Sequence, residues 1–436
     1  MAATKGGETM DTTTLVILAS IGGTVLFLIG VPVFLVLGLW IVMASNAIGF
    51  TLSNIPTTLF EGINFFGLLA LPLFILTGDM ISAAGIARRL TDFSRAALSW
   101  LSGGMAISTL GACGLFAAIS GSNAATTATI GKIMYPQLVD ENYDKRFAAA
   151  TIAAGGVVGI IIPPSVIFIV YGFIMNLPIG TLFIAGLLPG ILMVIAMQLV
   201  ALYMAWRNGW GMTFAFSLKK TLIAGAKAYL GFLAIFIVLF GIYSGIFSPT
   251  EAAAMTVGYC FVAGTFVTRE IKLRQVPSIL MSSGQITGLL APLIAISIVM
   301  QQMFSLMGAE QAIRDFVMSF GGGYAVTLAV CMAIVLITGT ILESLPVTVI
   351  LAPVLAPLAA HVGVDPVHFA VIFLVGASIG FITPPYGLNL YVASSVTSLP
   401  YLQLVRFVVP YFVALVLVWA LVAAFPVLSL WLTQFM

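Results

Sequence analysis

The chain has 436 residues, of which 61% are hydrophobic and only 7% charged, with a formal net charge of +2 and a mean hydropathy of +1.19. A soluble domain is nearer a quarter charged, so this composition excludes an ordinary water-soluble protein, and the small net charge gives no ground for a nucleic-acid partner. Cys113, Cys260 and Cys331 stand singly in apolar runs without metal-ligand spacing and read as small buried hydrophobes.

Residues 1–11 are polar, and the first apolar run continues past Pro32 with no small-residue cleavage site, so no cleavable signal peptide is expected. Membrane-spanning segments are predicted at about 13–29, 32–49, 63–79, 147–176, 180–206, 229–247, 251–268, 284–301, 366–398 and 404–432. Lys and Arg cluster at Arg88-Arg89 with Arg95, at Arg207–Lys227 and at Arg269–Arg274. The positive-inside rule places all three in the cytoplasm and both termini outside. Met80–Phe93 and Met303–Phe316 are too polar to cross lipid and are amphipathic in spacing, so each is predicted to lie at the interface.

Between the arms and the later spans the chain repeats itself. Thr127 and Thr348, Pro136 and Pro357, Asp144 and Asp365, Gly159 and Gly380, and Pro163-Pro164 and Pro384-Pro385 all match at one offset of 221 residues. Gly and Pro shape backbone, so matched breakers deep in apolar segments mark two interrupted helices. Ahead of each break a re-entrant hairpin is expected. The first is Trp100–Ala118, a tip at Ser120–Asn123, then Ala124–Val139; the second is Gly322–Ile341, a tip at Leu342–Leu345, then Pro346–Ala360. The odd number of crossings in a repeat makes the second copy inverted. Duplicated, interrupted segments of this kind are the sequence mark of a secondary transporter and point to its binding site. Two ordinary spanning hairpins are the alternative.

Backbone that leaves the helix inside a membrane frees carbonyls that only protein or a water-filled cavity can satisfy. The tips set hydroxyls and an amide beside such backbone: Ser120, Ser122 and Asn123 in one, Thr340 and Ser344 in the other. Neutral oxygens of this kind suit a weakly held monovalent cation such as Na⁺, and helix N-terminal ends favour an anion. Glu343 is a charge in an expensive place and a functional candidate on that ground. Membrane Ser and Thr also bond back to their own helices, and that plainer role stands against each hydroxyl. No Ser/His dyad, His-Glu-x-x-His or Gly-Lys-Ser/Thr phosphate loop occurs, so neither an intramembrane enzyme nor an ATP-driven pump is expected.

The Gly-Ser-Asn-Ala-Ala tip at 121–125, Ile161-Ile162-Pro163-Pro164-Ser165, Phe247-Ser248-Pro249-Thr250-Glu251 and the run Gly380–Asn389 resemble the large membrane subunit of tripartite ATP-independent periplasmic (TRAP) transporters, the DctM-like family. The resemblance covers essentially the whole chain. It implies an all-α polytopic protein of two inverted-topology repeats, each with a re-entrant hairpin and a broken helix, working as an elevator. It implies Na⁺-driven import of an organic acid such as a C4-dicarboxylate or sialic acid across the bacterial inner membrane, with no other cofactor or transition metal. The partners implied are a periplasmic substrate-binding protein and a small four-helix membrane subunit, here a separate chain. A stand-alone Na⁺/carboxylate symporter of related fold is the alternative.

On that resemblance, Ser120, Ser122, Asn123, Gly159 and Pro163 are expected at one Na⁺ site, and Thr340, Glu343, Ser344, Gly380 and Thr383 at the other. Asn123, Ser165, Thr383, Pro385 and Asn389 are expected to meet the substrate. The corresponding division has scaffold and first arm over 1–96, transport half one over 97–179, scaffold and second arm over 180–318, transport half two over 319–399 and a final scaffold span over 400–436.

Overall fold

A computed structural model describes residues 12–212, 215–318 and 321–435, and all regular structure among them is helical. Residues 1–11, the polar stretch on which no cleavable signal peptide is expected, lie outside the described residues. Among the described residues six helices are long and apolar enough to cross a bilayer, or seven if the bent pair Leu218–Lys227 and Tyr229–Tyr243 makes one span. The first two expected spans are shorter apolar helices, Thr12–Leu28 and Val33–Ile48. They pack with Val276–Leu306 around a separate cluster that includes Trp40, Ile41, Val299 and Met303. Exposed side chains such as Leu199, Phe236 and Leu417 supply the surface that lipid covers.

Two short helices, Asn54–Ile63 and Leu218–Lys227, have no counterpart in the sequence reading, which hid both among polar and basic flanks. The first arm begins later than expected. Ala70–Ala83 runs on past Met80, and the chain turns only at Gly85, φ +66°, to start the amphipathic helix Ile86–Leu98. Gly308, φ +64°, makes the equivalent turn before Ala309–Met318.

The hairpins form as helix pairs. The first is Gly104–Ser120 and Asn123–Asp140; the second is Tyr324–Gly339 and Ser344–His361. The second turn falls at 340–343, about two residues before its expected place, because helix resumes at Ser344. Ser344–His361 is by itself long and apolar enough to span, whereas its partner is shorter. The broken helices follow. Lys145–Gly156 tightens into a 3₁₀ turn over Val157–Ile160, loses regular structure at Ile161–Ser165, and resumes at Val166–Ile174. Pro366–Gly380 unwinds over 381–387 and resumes at Leu388–Thr397. Both Pro-Pro bonds are cis.

Several repeated residues have plain local causes. Asp144 and Asp365 each cap a broken helix: Asp144 Oδ1 accepts from the Arg146 and Phe147 amides at 2.8 and 3.4 Å, and Asp365 Oδ1 from Val367 and His368 at 2.8 and 3.0 Å. Thr127 and Thr348 each donate to the carbonyl four residues back, Asn123 O at 2.9 Å and Ser344 O at 2.7 Å. The motif at 247–251 is also a cap. Ser248 Oγ accepts from the Glu251 amide while the Glu251 carboxylate accepts from Ser248 N.

The Arg146 side chain and the helix amides hold the Asp144 carboxyl below its usual range. A depressed acid stabilises the fold above its unfolded pKa and loses that contribution as pH falls through the lower folded value. Asp144→Ala should therefore cost about 1 kcal/mol at neutral pH. The difference from wild type should begin to narrow below about pH 3.9, the ordinary Asp value, and close only below the lower folded value, in thermal melts of the detergent-solubilised protein.

The halves exchange elements. Leu388–Thr397 packs on Asn123–Asp140 and Lys145–Gly156 of the first half, and Val166–Ile174 packs on Ser344–His361 of the second. Tyr401–Ala424 ties both breaks together: the Tyr411 hydroxyl meets Thr151 Oγ1 at 2.8 Å, and Trp419 Nε1 donates to Ile372 O at 2.7 Å. Ile179–Asn208 packs on the first hairpin, on Pro366–Gly380 and on Tyr401–Ala424. Tyr411→Phe should lower stability by about 1 kcal/mol, since Thr151 keeps its bond to Phe147 O. A larger loss in melting experiments would mean that the Tyr411 hydroxyl holds more than this one contact.

Candidate functional site

At the first tip, Gly104–Ser120 stops at Gly121, φ +60°, Ser122 is extended, and Asn123 opens the next helix. At the second tip Glu343 is extended and Ser344 opens the helix. Asn123 and Ser344 therefore hold the same place in the two copies, 221 positions apart. Each tip lies against its own break at backbone distance. A Cβ built on Gly159 would stand 2.5 Å from Ser122 O and 2.8 Å from Asn123 Cα, and one on Gly380 would stand 2.5 Å from Gly339 C. Only glycine permits main chain to approach main chain so closely, which is why this pair recurs.

Both tips open onto one cavity of about 360 Å³. Four helices begin at its wall, and residues from the first turn of each line it: Ala124 and Ala125, Val166, Ser344 and Leu345, and Leu388. Four sets of N–H groups and four positive dipole ends thus converge on a space lined by no Lys, Arg or His. The dipole ends favour an anion close to the helix starts, while the Asp79 and Glu343 carboxylates on the same wall oppose one on their side. The helix C-terminal ends at the same breaks leave last-turn carbonyls without intrahelical partners.

Polar groups are sparse, and of them Ser120, Asn123 and Ser344 are buried. Asn123 is 2% exposed, and neither its Oδ1 nor its Nδ2 has a protein partner. A buried amide left unpaired costs about 1–3 kcal/mol, so its place wants a ligand. Ser120 Oγ lies 3.0 Å from Thr126 Oγ1, and Ser122 Oγ accepts from Ala125 N at 3.4 Å. Glu343 accepts from the Tyr386 hydroxyl at 3.3 Å, and Tyr386 N donates to Thr340 O at 3.1 Å. Asp79 also lines the cavity, its Oδ2 accepting from Ser283 Oγ at 2.7 Å.

The chain matches the family model described as tripartite ATP-independent periplasmic transporter, DctM component, over residues 16–428. The chain belongs to this family of TRAP transporter large permeases. It is 37% identical over 377 residues to the C4-dicarboxylate TRAP transporter large permease protein DctM of Pseudomonas aeruginosa, covering 86% of this chain and 88% of that protein. It is also 37% identical to the isethionate TRAP transporter permease protein DctMQ of Oleidesulfovibrio alaskensis, over 88% of this chain and 61% of that one. Among solved structures, the YdaH transporter of Alcanivorax borkumensis shares the fold, with a TM-score of 0.61 at 16% identity, covering 88% of this chain and 89% of that chain. A TRAP large permease is a multi-span protein, and the bacterial inner membrane accords with its many apolar helices.

Of the residues expected at this permease's sites, Ser120, Ser122, Asn123, Glu343 and Ser344 line the shared cavity. Gly159, Pro163 and Gly380 are buried and do not line it. Thr340 and Thr383 donate to carbonyls of their own helices, Ile337 O at 2.7 Å and Ile379 O at 2.9 Å. Ser165 is fully buried, donates to Ile160 O at 2.7 Å and accepts from Phe168 N, which makes it the cap of the resumed helix. Pro385 is exposed, and its carbonyl accepts from the Tyr401 hydroxyl at 3.0 Å. Asn389 lies outside the cavity wall and crosses to the other half, donating from Nδ2 to Ala153 O at 3.2 Å with its Oδ1 unpartnered. Asp79, expected from the sequence to be interfacial or structurally paired rather than part of a site, is paired with Ser283 and also lines the cavity. The available signal was a lone acid inside an apolar segment.

Proposed function

We propose that this permease imports an organic anion by Na⁺-coupled, elevator-type movement, receiving its cargo from a periplasmic binding protein. The observation that carries the reading is the cavity with four helix starts and no basic side chain. It invites a carboxylate, while the neighbouring carbonyls and the unpaired Asn123 amide invite a monovalent cation. One Na⁺ site is assigned to Ser120, Ser122, Asn123 and the backbone from Gly159 to Pro163. The other takes Ser344, Glu343 and backbone of Thr340 and Gly380–Thr383. Asn389, beside the Asn123 main chain, belongs to the first site rather than to the substrate. Ser165 acts as a cap, so Asn123 and the helix N–H groups are left to meet the cargo.

The moving body comprises both hairpins and both broken helices. By their packing it also takes Ile179–Asn208 and Tyr401–Ala424, in place of the scaffold role expected above for 180–206 and 404–432. The first arm is bonded to both bodies. Ser94 Oγ donates to Ser108 O of the hairpin at 2.7 Å, while Arg89 pairs with Glu270 at 3.1 Å and Ala96 O accepts from Thr221. A small membrane subunit would complete the scaffold. The relative named DctMQ supports that partner by its name.

A resting potential near 100 mV supplies about 2.3 kcal/mol per net charge moved inward, enough for concentrative uptake without ATP. The experiment is uptake of organic acids into vesicles holding this permease and its small subunit. The Na⁺ gradient and the binding protein are each added or withheld. Uptake should require both. Na⁺-driven uptake without the binding protein would instead identify a stand-alone symporter.

A further inference from the structure

We propose that the cleft between the first arm and the helix Leu218–Lys227 is a headgroup site for an anionic phospholipid. The cleft, about 700 Å³, shares no lining residue with the transport cavity and is walled by four elements. Arg88, Arg89 and Asp92 come from the arm, Lys220 and Lys227 from Leu218–Lys227, and Glu270 from the loop after Pro249–Val267. Arg89 is spent within the protein, paired with Glu270 at 3.1 Å and donating to Ala84 O and Gly85 O at 3.2 and 3.1 Å. Arg88, Lys220 and Lys227 form no ion pair among the described residues, and Asp92 is the remaining carboxylate on the wall. Three free cations thus face one free acid.

The level of the cleft selects a lipid over a soluble anion. Leu218–Lys227 has no buried residue, and Leu218 and Leu222 are 61% and 63% exposed. Such a helix is stable at the bilayer interface, with its apolar side in the acyl region and its lysines at the phosphates. The chain then bends by 62° into Tyr229–Tyr243, as a helix passing from the interface into the bilayer must. Tyr229 and Val267, on the wall itself, are 51% and 55% exposed. A phosphate held by Arg88, Lys220 and Lys227 would therefore have apolar protein surface beneath it for its chains. Basic pockets beside spanning helices take anionic headgroups, each Lys or Arg adding about 1 kcal/mol near the surface.

The test is native mass spectrometry of the permease with its small subunit, released from mild detergent and titrated with phosphatidylglycerol or with phosphatidylcholine. Phosphatidylglycerol should bind preferentially. Lys220→Gln with Lys227→Gln should weaken it by about tenfold or more, while the charge-matched pair Lys132→Gln with Lys145→Gln should leave it unchanged. Unaltered melting temperatures in both pairs would show that the exposed substitutions spare the fold. Equal binding of the two lipids, or equal loss in both variant pairs, would overturn the site. Displacement of the lipid by millimolar inorganic phosphate would overturn the lipid assignment in favour of a soluble anion. Protection of Lys220 and Lys227 from amine labelling by the small subunit alone, in lipid-free detergent, would assign the cleft to a protein partner instead.

Discussion

Asn123→Ala should abolish most of the Na⁺ response while leaving the ion-free protein as stable as wild type, or slightly more so. The amide is buried with both polar atoms unpartnered, so its removal takes away a cost of about 1–3 kcal/mol rather than a bond. The small cavity left by the truncation offsets part of that gain. At the proposed Na⁺ site the same change would delete an oxygen ligand. A loss of about 2 kcal/mol of ion binding corresponds to roughly 30-fold in Na⁺ affinity. Two measurements separate these effects. The rise in melting temperature on adding Na⁺ reports binding to the folded state, and melting without Na⁺ reports the fold alone. A variant that melts lower without Na⁺ and keeps its Na⁺ response would show that Asn123 is structural. Ser344→Ala, at the matching place in the second copy, should weaken the response independently. It should do so by less, because one hydroxyl replaces an amide.

Gly159→Ala should be among the most damaging single methyls in the protein. Its Cβ would meet the main chain of Ser122 and Asn123, and backbone cannot rotate away as a side chain can. Relief requires separating the first hairpin tip from the first break. Overpacking of this kind costs about 3 kcal/mol or more. It would also displace the Asn123 amide and the carbonyls of the break together, so Na⁺-dependent uptake should fail even in whatever protein remains folded. Gly380→Ala should act the same way at the second copy, through Gly339. The informative contrast is Gly258→Ala, in Pro249–Val262, where no atom lies within 4 Å. There the methyl should be neutral or stabilising by up to about 1 kcal/mol, because Ala favours helix over Gly. Equal losses at positions 159 and 258 would remove the tip-on-break contact as the cause.

The parts of this molecule legible in its residues are those whose physics is local. Gly159, Gly380 and the two Pro-Pro pairs interrupt helices through their own backbone chemistry, and the breaks stand where those residues do. Asp144 and Asp365 begin helices through bonds to amides two and three residues on, so their recurrence has a cause visible at short range. The second tip was displaced by about two residues because Leu342 and Ile341 differ little from their neighbours in turn preference, and helix ends fray without a cap.

What only the tertiary structure decided are the relations that join distant segments. Composition says that Ile179–Asn208 and Tyr401–Ala424 cross a membrane. It does not say that they pack on the hairpin and broken helices, since an apolar helix surface fits lipid and protein alike. Asn389 belongs beside Ala153 of the other half, and Asp79 joins a cavity built by four helix starts drawn from both copies. The amino-acid order alone determined a duplicated, twice-broken membrane transporter chain. Folding decided which ends face each other, because dipoles and unpaired amides act through space rather than along the chain.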